Sequence, residues 1–265
     1  MLTEATLGSG MRIWSARPDG AGPRPAMIFL HERYGPVQHP KDVVQRFARD
    51  GYVAVLPDLF HRYTPDRKPI EEGEASAELR DDESLADLDE VMAWLRKQTY
   101  VMDHAIGIMG VCQTGREPIL YAAHRNDAAS IVILNGGVYS REFTQREGHP
   151  ETVSELIPRL GCPVLGLFGE IDNLISLDNV ARFRSEMEQA RKSYVAKVFR
   201  DAPHGWLNDT MPGRYRKEAA NDAGKLMMAF LKKCFAGGWD RERIACTFES
   251  DYSTTYDFSK NVRME

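Results

Sequence analysis

Basic side chains are not in excess: 34 lysines and arginines face 39 acids in 265 residues, for a formal net charge of −5. A polyanion would find no electrostatic footprint here, which argues against nucleic acid as a partner. No apolar run approaches the roughly 18 to 20 residues that cross a bilayer, so no membrane partner is expected. Residues 1–10 carry neither a basic start nor an apolar stretch, which predicts a cytoplasmic protein without an export leader. Cysteines number only 4, at positions 112, 162, 234 and 246, with no Cys-x-x-Cys pair. That count excludes a disulfide scaffold and gives poor zinc ligation, so each thiol is read alone and as reduced. No His-Glu-x-x-His spacing occurs among the 7 histidines, and neither metal nor cofactor is predicted. No Pro/Gly/Ser linker or repeat divides the chain, which predicts a single domain over residues 1–236. A polar, tyrosine-bearing extension over 237–265 follows, either packed on the body or a partner, or frayed.

What is present alternates. Residues 26–30, 52–56, 105–109, 130–134, 163–168 and 194–199 form short, near-continuous apolar runs, as strands covered on both faces do. Between them, 42–50, 82–98, 116–124, 178–192 and 215–235 show helical spacing with charged outer faces. This alternation predicts an α/β fold with a mostly parallel central sheet and helices on both faces. Residues 62–84 break the rhythm and read as a solvated loop with a short helix, or else a lid over a pocket. His39, His61, His104, His124 and His149 read as surface residues, and Met227 and Met228 as core filling.

The most informative segment runs from an apolar strand into Gly110-Val111-Cys112-Gln113-Thr114-Gly115 and then a helical pattern. Small residues around Cys112 permit the sharp strand-to-helix turn that lifts a nucleophile above a sheet edge. There the helix N-terminus favours thiolate over thiol. The strand ending at Phe168 leads to Asp172, and the strand ending near Arg200 leads to His204. Nucleophile, acid, histidine is the chain order of the α/β-hydrolase triad. After residues 26–30, the loop His31-Glu32-Arg33-Tyr34-Gly35 can aim a backbone N–H, that of Arg33, opposite the N–H of Gln113 to form an oxyanion hole.

Together these motifs resemble the dienelactone hydrolases, cysteine hydrolases of the α/β-hydrolase fold. The resemblance spans roughly residues 25–235. It is carried by His31-Glu32-Arg33-Tyr34-Gly35, Pro57-Asp58-Leu59-Phe60, Gly110 to Gly115, Gly169-Glu170-Ile171-Asp172 and Pro203-His204-Gly205-Trp206. It implies a carboxymethylenebutenolidase-like hydrolase of small esters or lactones, with Cys112 as nucleophile and His204 as base and then acid. Asp172 would orient the imidazole, and Glu32 would help take the thiol proton when substrate arrives. Whether Glu32 or His204 activates the thiol stays open at this point.

The departures from the family pattern also predict. Thr114 stands where the family has glycine, and Pro118 predicts a distorted first turn of the following helix, because an interior proline removes an N–H and clashes with the preceding turn. Family enzymes hold the dienelactone carboxylate with arginines, one of them shortly after the catalytic histidine, where this chain reads Gly205-Trp206-Leu207-Asn208. Arg62, Arg80, Arg116 and Arg33 are candidate substitutes, with Tyr34 and Trp206 as further candidate substrate contacts. The missing arginine supports an alternative, a general short-chain carboxylesterase. A catalytically silent hydrolase-fold binding protein is the alternative from another class. The natural substrate and the oligomeric state are not fixed by the sequence.

Overall fold

The computed structural model describes residues 1–237, 239–240 and 242–255. The central apolar runs become parallel strands: β3 (Arg24–Phe29), β4 (Val53–Pro57), β5 (Val101–Val111), β6 (Ser130–Leu134), β7 (Val164–Gly169) and β8 (Tyr194–Phe199). Three further strands were not expected: β1 (Thr3–Thr6), β2 (Arg12–Ala16) and β9 (Cys246–Ser250). The nine strands lie in the order β1-β2-β4-β3-β5-β6-β7-β8-β9, with β2 antiparallel to both its neighbours and all other pairings parallel. The extension beyond residue 236 thus adds an edge strand along β8, while residues 238, 241 and 256–265 of that predicted tail lie outside the described residues.

Helices α1 (Gln38–Arg49), α2 (Lys68–Glu71), α3 (Asp81–Arg96), α4 (Glu117–His124), α5 (Val153–Leu156), α6 (Leu177–Gln189) and α7 (Lys217–Phe235) cover the sheet. Side chains alternate across a strand, so one run feeds two cores. Ala26 and Ile28 of β3 pack with residues of α3, α4 and α6, while Met27 and Phe29 pack with residues of α1 and α7. Both faces of β3 are therefore dry, which is why its sequence is apolar throughout rather than alternating.

Register brings the chemistry to one edge. Val111 pairs with Leu134, Leu134 with Leu167 and Gly169 with Phe199. The loops that leave β5, β6, β7 and β8 therefore emerge together at the carboxyl end of the sheet, the usual place for a ligand crevice in such folds. The irregular segment 62–84 contains the short α2 and enters α3 at Asp81. Among the described residues no helix is long and apolar enough to cross a membrane.

Candidate active site

Cys112 follows β5 with φ of 53°, a left-handed conformation that is uncommon for a side-chain-bearing residue. A turn this sharp needs open backbone around it. A Cβ on Gly110 would lie 2.1 Å from the Thr114 carbonyl oxygen, and one on Gly136 would lie 2.3 Å from the Cys112 carbonyl oxygen. Residues 112–115 form one 3-10 turn before α4 begins at Glu117. The first turn is thus irregular as expected, and Pro118 falls at the start of α4, where no helical acceptor awaits its missing N–H. Thr114 is buried and fits: its hydroxyl accepts from Val111 N and donates to Val111 O, both at 3.1 Å.

Cys112 Sγ lies 3.1 Å from His204 Nε2, and His204 Nδ1 donates to Asp172 Oδ2 at 2.8 Å. Asp172 Oδ1 accepts from the backbone N–H groups of Leu174 and Ile175 at 2.8 and 3.0 Å, so both carboxylate oxygens are held. The loops after β5, β7 and β8 thus place a thiol, an imidazole and a carboxylate in one hydrogen-bonded line. Burial pushes the Cys112 thiol up, but the hydrogen bond and charge of His204 outweigh it and hold the thiol below its ordinary range. Burial works against a charged His204, yet the bonds to Asp172 and Cys112 raise it to about 10. Both shifts run in the direction of a thiolate facing an imidazolium.

One contact had no sequence signal. The Tyr139 hydroxyl, 3.3 Å from the Asn135 carbonyl oxygen, also reaches Cys112 Sγ at 3.7 Å. Burial first, and then the adjacent thiolate, raise the Tyr139 phenol well above its usual value, so it stays a donor to the sulfur. Tyr139 sits in the loop after β6, on the same sheet edge but in no recognisable motif.

Around the thiol opens a cavity of about 550 Å³. Its wall includes Ser76 to Leu79, so the segment 62–84 is part of the pocket as well as carrying a short helix. Gln113 Nε2 donates to Ala77 O at 2.6 Å, and Arg33 Nη2 donates to Gly73 O and Ala75 O, both at 3.1 Å, which anchors that wall. Arg33, Gln113 and Arg116 line the cavity. Buried His31 fixes the loop that carries Glu32 and Arg33, its Nδ1 donating to Glu32 O at 2.8 Å and its Nε2 accepting from Leu59 N at 3.2 Å.

Other expected contacts are corrected. Trp206 is fully buried, its ring tilted at 4.6 Å from that of Phe199 and its indole N–H on Asn135 Oδ1 at 2.8 Å, so it packs inside the protein and does not line the cavity around Cys112. Arg62 is clamped by Asp87 at 2.7 and 2.8 Å and does not line the cavity. Arg80 is exposed, pairs with Asp82 at 3.5 Å and is likewise outside the lining, as is Tyr34, whose ring lies against Gly73. Glu32 accepts from Asn208 Nδ2 at 3.0 Å and lines a second, mainly apolar cavity of about 390 Å³ between the sheet, α1 and α7. His149, expected at the surface, is buried with its Nδ1 on Asp81 Oδ1 at 2.7 Å. Among the described residues no group of three or more His, Cys, Asp or Glu side chains is placed to hold a metal ion.

Comparison with known proteins adds independent support. The sequence profile of the "Dienelactone hydrolase family" matches residues 11–235. A protein of Escherichia coli O157:H7 named "Putative carboxymethylenebutenolidase" is 30% identical over 231 residues, covering 85% of this chain and 83% of its own. The crystal structure of a "Putative Dienelactone Hydrolase" from Klebsiella pneumoniae superposes with a TM-score of 0.76 at 28% identity, over 88% of this chain and 98% of that one. The acylaminoacyl peptidase of Pyrococcus horikoshii shares the fold alone, with a TM-score of 0.67 at 15% identity over 99% of this chain and 44% of that one. The match that spans β2 through α7, and the relatives it brings, show that this chain belongs to the dienelactone hydrolase family, hydrolases of lactone and ester bonds built on the α/β-hydrolase fold.

Proposed function

We propose that the chain hydrolyses small esters or lactones by acyl transfer through Cys112, His204 and Asp172. The observation that carries this reading is the 3.1 Å approach of His204 Nε2 to the Cys112 sulfur, backed by the 2.8 Å bond to Asp172. The thiolate attacks the carbonyl carbon, and the tetrahedral oxyanion rests on the N–H groups of Arg33 and Gln113. In support of that pair, β3 and β5 are adjacent, with Leu30 N bonded to Met109 O at 2.8 Å, so the two loops leave side by side. Collapse breaks the C–O bond, and the departing alkoxide takes the proton from His204 Nε2. Water then attacks the thioester, giving its proton to His204, and the carboxylic acid leaves as the C–S bond breaks.

A thiolate departs more readily than an alkoxide and so suits activated esters and enol lactones better than amides. In this reading Glu32 acts through its charge, because its carboxylate is turned to Asn208 and opposes the thiolate. The same Asn208 occupies the stretch where an anion-binding arginine was expected, which favours a general short-chain esterase over an enzyme that requires anionic lactones. Turnover of p-nitrophenyl butanoate tests the reading. Cys112→Ala is expected to lose about 10³-fold or more in kcat, and intact mass spectrometry of the wild type is expected to trap an acyl group on Cys112. Full turnover by Cys112→Ala would overturn the proposal, and absence of turnover by the wild type on esters and lactones alike would favour a silent binding protein.

A further inference from the structure

Two ionisable residues at the start of α4 have no part in the chemistry above. Arg116 and Glu117 are each 2% exposed, and both line the cavity that holds Cys112. Each keeps one buried polar atom without a hydrogen-bond partner, Arg116 Nη1 and Glu117 Oε2. The rest of Arg116 is satisfied: Nε and Nη2 donate to Asp81 at 3.1 and 2.7 Å, and Nη2 donates also to Glu151 O at 2.6 Å. Nη1 has only Glu142 Oε2 at 3.6 Å, beyond hydrogen-bond reach. A buried polar atom left unmatched costs about 1–3 kcal/mol, a penalty that a ligand offering the right partner removes.

Resting on the ester-hydrolase reading above, we propose that Arg116 Nη1 and Glu117 Oε2 form a specificity subsite. The two atoms donate hydrogen bonds to an uncharged carbonyl oxygen on the substrate, away from the ester that is cleaved. Charge selects the uncharged form. Arg116 is already matched by Asp81 and Glu142, and Arg141 and Arg146 both turn to Glu142, at 3.1 Å and 3.2 Å. A carboxylate placed on these two atoms would find Arg116 already matched and would face Asp81 and Glu142; a keto oxygen needs donors only. Glu117 supplies one of them. Burial raises its carboxyl to about 8, with Glu142 and Asp81 adding to the rise while its own backbone N–H and Arg116 oppose it. The other ionisable groups lining this cavity are Arg141 and Arg146 on the Glu142 side, His149 on Asp81, Cys112 with Tyr139, and Arg33, Glu78 and Glu147 on the remaining wall.

The test compares p-nitrophenyl 4-oxopentanoate with p-nitrophenyl pentanoate and with mono-p-nitrophenyl succinate, each kcat/KM divided by the ester's rate with hydroxide. The wild type is expected to favour the oxo ester over the pentanoate by about tenfold, as one hydrogen-bonded group provides, and over the succinate as well. That preference should fall as pH rises through about 8, where Glu117 loses the proton it donates. Glu117→Gln, whose amide still donates, should keep the preference across neutral and mildly alkaline pH, and Glu117→Leu should abolish it. Equal use of oxo ester and pentanoate by the wild type, a preference unchanged in Glu117→Leu, or a preference for the succinate overturns the subsite while leaving the hydrolase intact. If Glu117→Leu does not fold, the pH dependence of the wild type against Glu117→Gln decides, and parallel curves overturn the proposal. Failure to turn over any of the three esters overturns the hydrolase reading, and the subsite falls with it.

Discussion

At Cys112 two opposing effects act on one sulfur. Burial favours the neutral thiol, while His204 and the Tyr139 hydroxyl favour the thiolate and prevail. Glu32 acts in the other direction, since a carboxylate near a thiolate raises the cost of the second charge. The acid limb of iodoacetamide alkylation should therefore lie below the ordinary thiol range. Reactivity is lost as pH falls through the lowered Cys112 value, and the imidazolium partner persists up to about 10. Glu32→Gln removes the opposing charge, so its acid limb is expected at lower pH and its alkylation at about pH 6, below the free thiol range, is expected to be severalfold faster. An acid limb unmoved in the variant would mean that Glu32 does not act on the sulfur through charge.

The residues that sequence could nominate were those whose type and chain position both carry chemistry: Cys112, Asp172 and His204 each follow a strand end and meet within hydrogen-bond distance. Arg62, Arg80 and Trp206 were nominated by charge or by proximity to a motif, which says nothing of where a side chain points. Tyr139 and Glu117 lacked a signal for the same reason. A tyrosine in a loop and a glutamate in a helix look like surface residues until the fold buries them around the cavity that holds the thiol.

At the scale of elements, the apolar period identified six strands and five helices because those strands are dry on both faces. It missed β1 and β9, whose residues are almost all exposed, and also β2, where Arg12 and Ser15 interrupt the apolar run. What apolar patterning cannot read at all is a polar junction between elements. Asp81 opens α3, accepts from Arg116 of the α4 approach and from His149 of the loop before α5, and its own N–H bonds Gly148 O at 2.8 Å. Asp81→Asn would strand a buried guanidinium, and one broken partner of a buried pair costs about 3–5 kcal/mol. Urea unfolding is expected to show that loss as a lower midpoint at unchanged slope. The double variant Asp81→Asn, Arg116→Met should recover part of it, because the uncompensated charge is gone. A double variant less stable than Asp81→Asn alone would refute this account of the junction.

For the molecule as a whole, the decisive contact is between the segment just after β9 and the loops that carry Asp172 and His204. Glu170, two residues before Asp172, accepts from Ser253 N through Oε1 and from Asp201 N through Oε2, both at 2.7 Å. Asp201 has φ of 53° and stands three residues before His204, so one buried carboxylate ties the extension to the loops that carry Asp172 and His204. β9 also covers β8, pairing Tyr194 with Cys246 through Val198 with Ser250. A chain ended after residue 237 would bare the β8 edge, and an unpaired edge strand is a template for another chain. Its expected behaviour is a lower Tm and association that grows with concentration, read by light scattering. Glu170→Ala separates the two effects: it should lower kcat by loosening the His204 loop while leaving β9 in place and the protein dispersed. A shortened chain that stayed dispersed at the full-length Tm would show that β9 neither caps the sheet nor contributes to its stability. A Glu170→Ala enzyme with unchanged kcat would show that the extension does not reach the site.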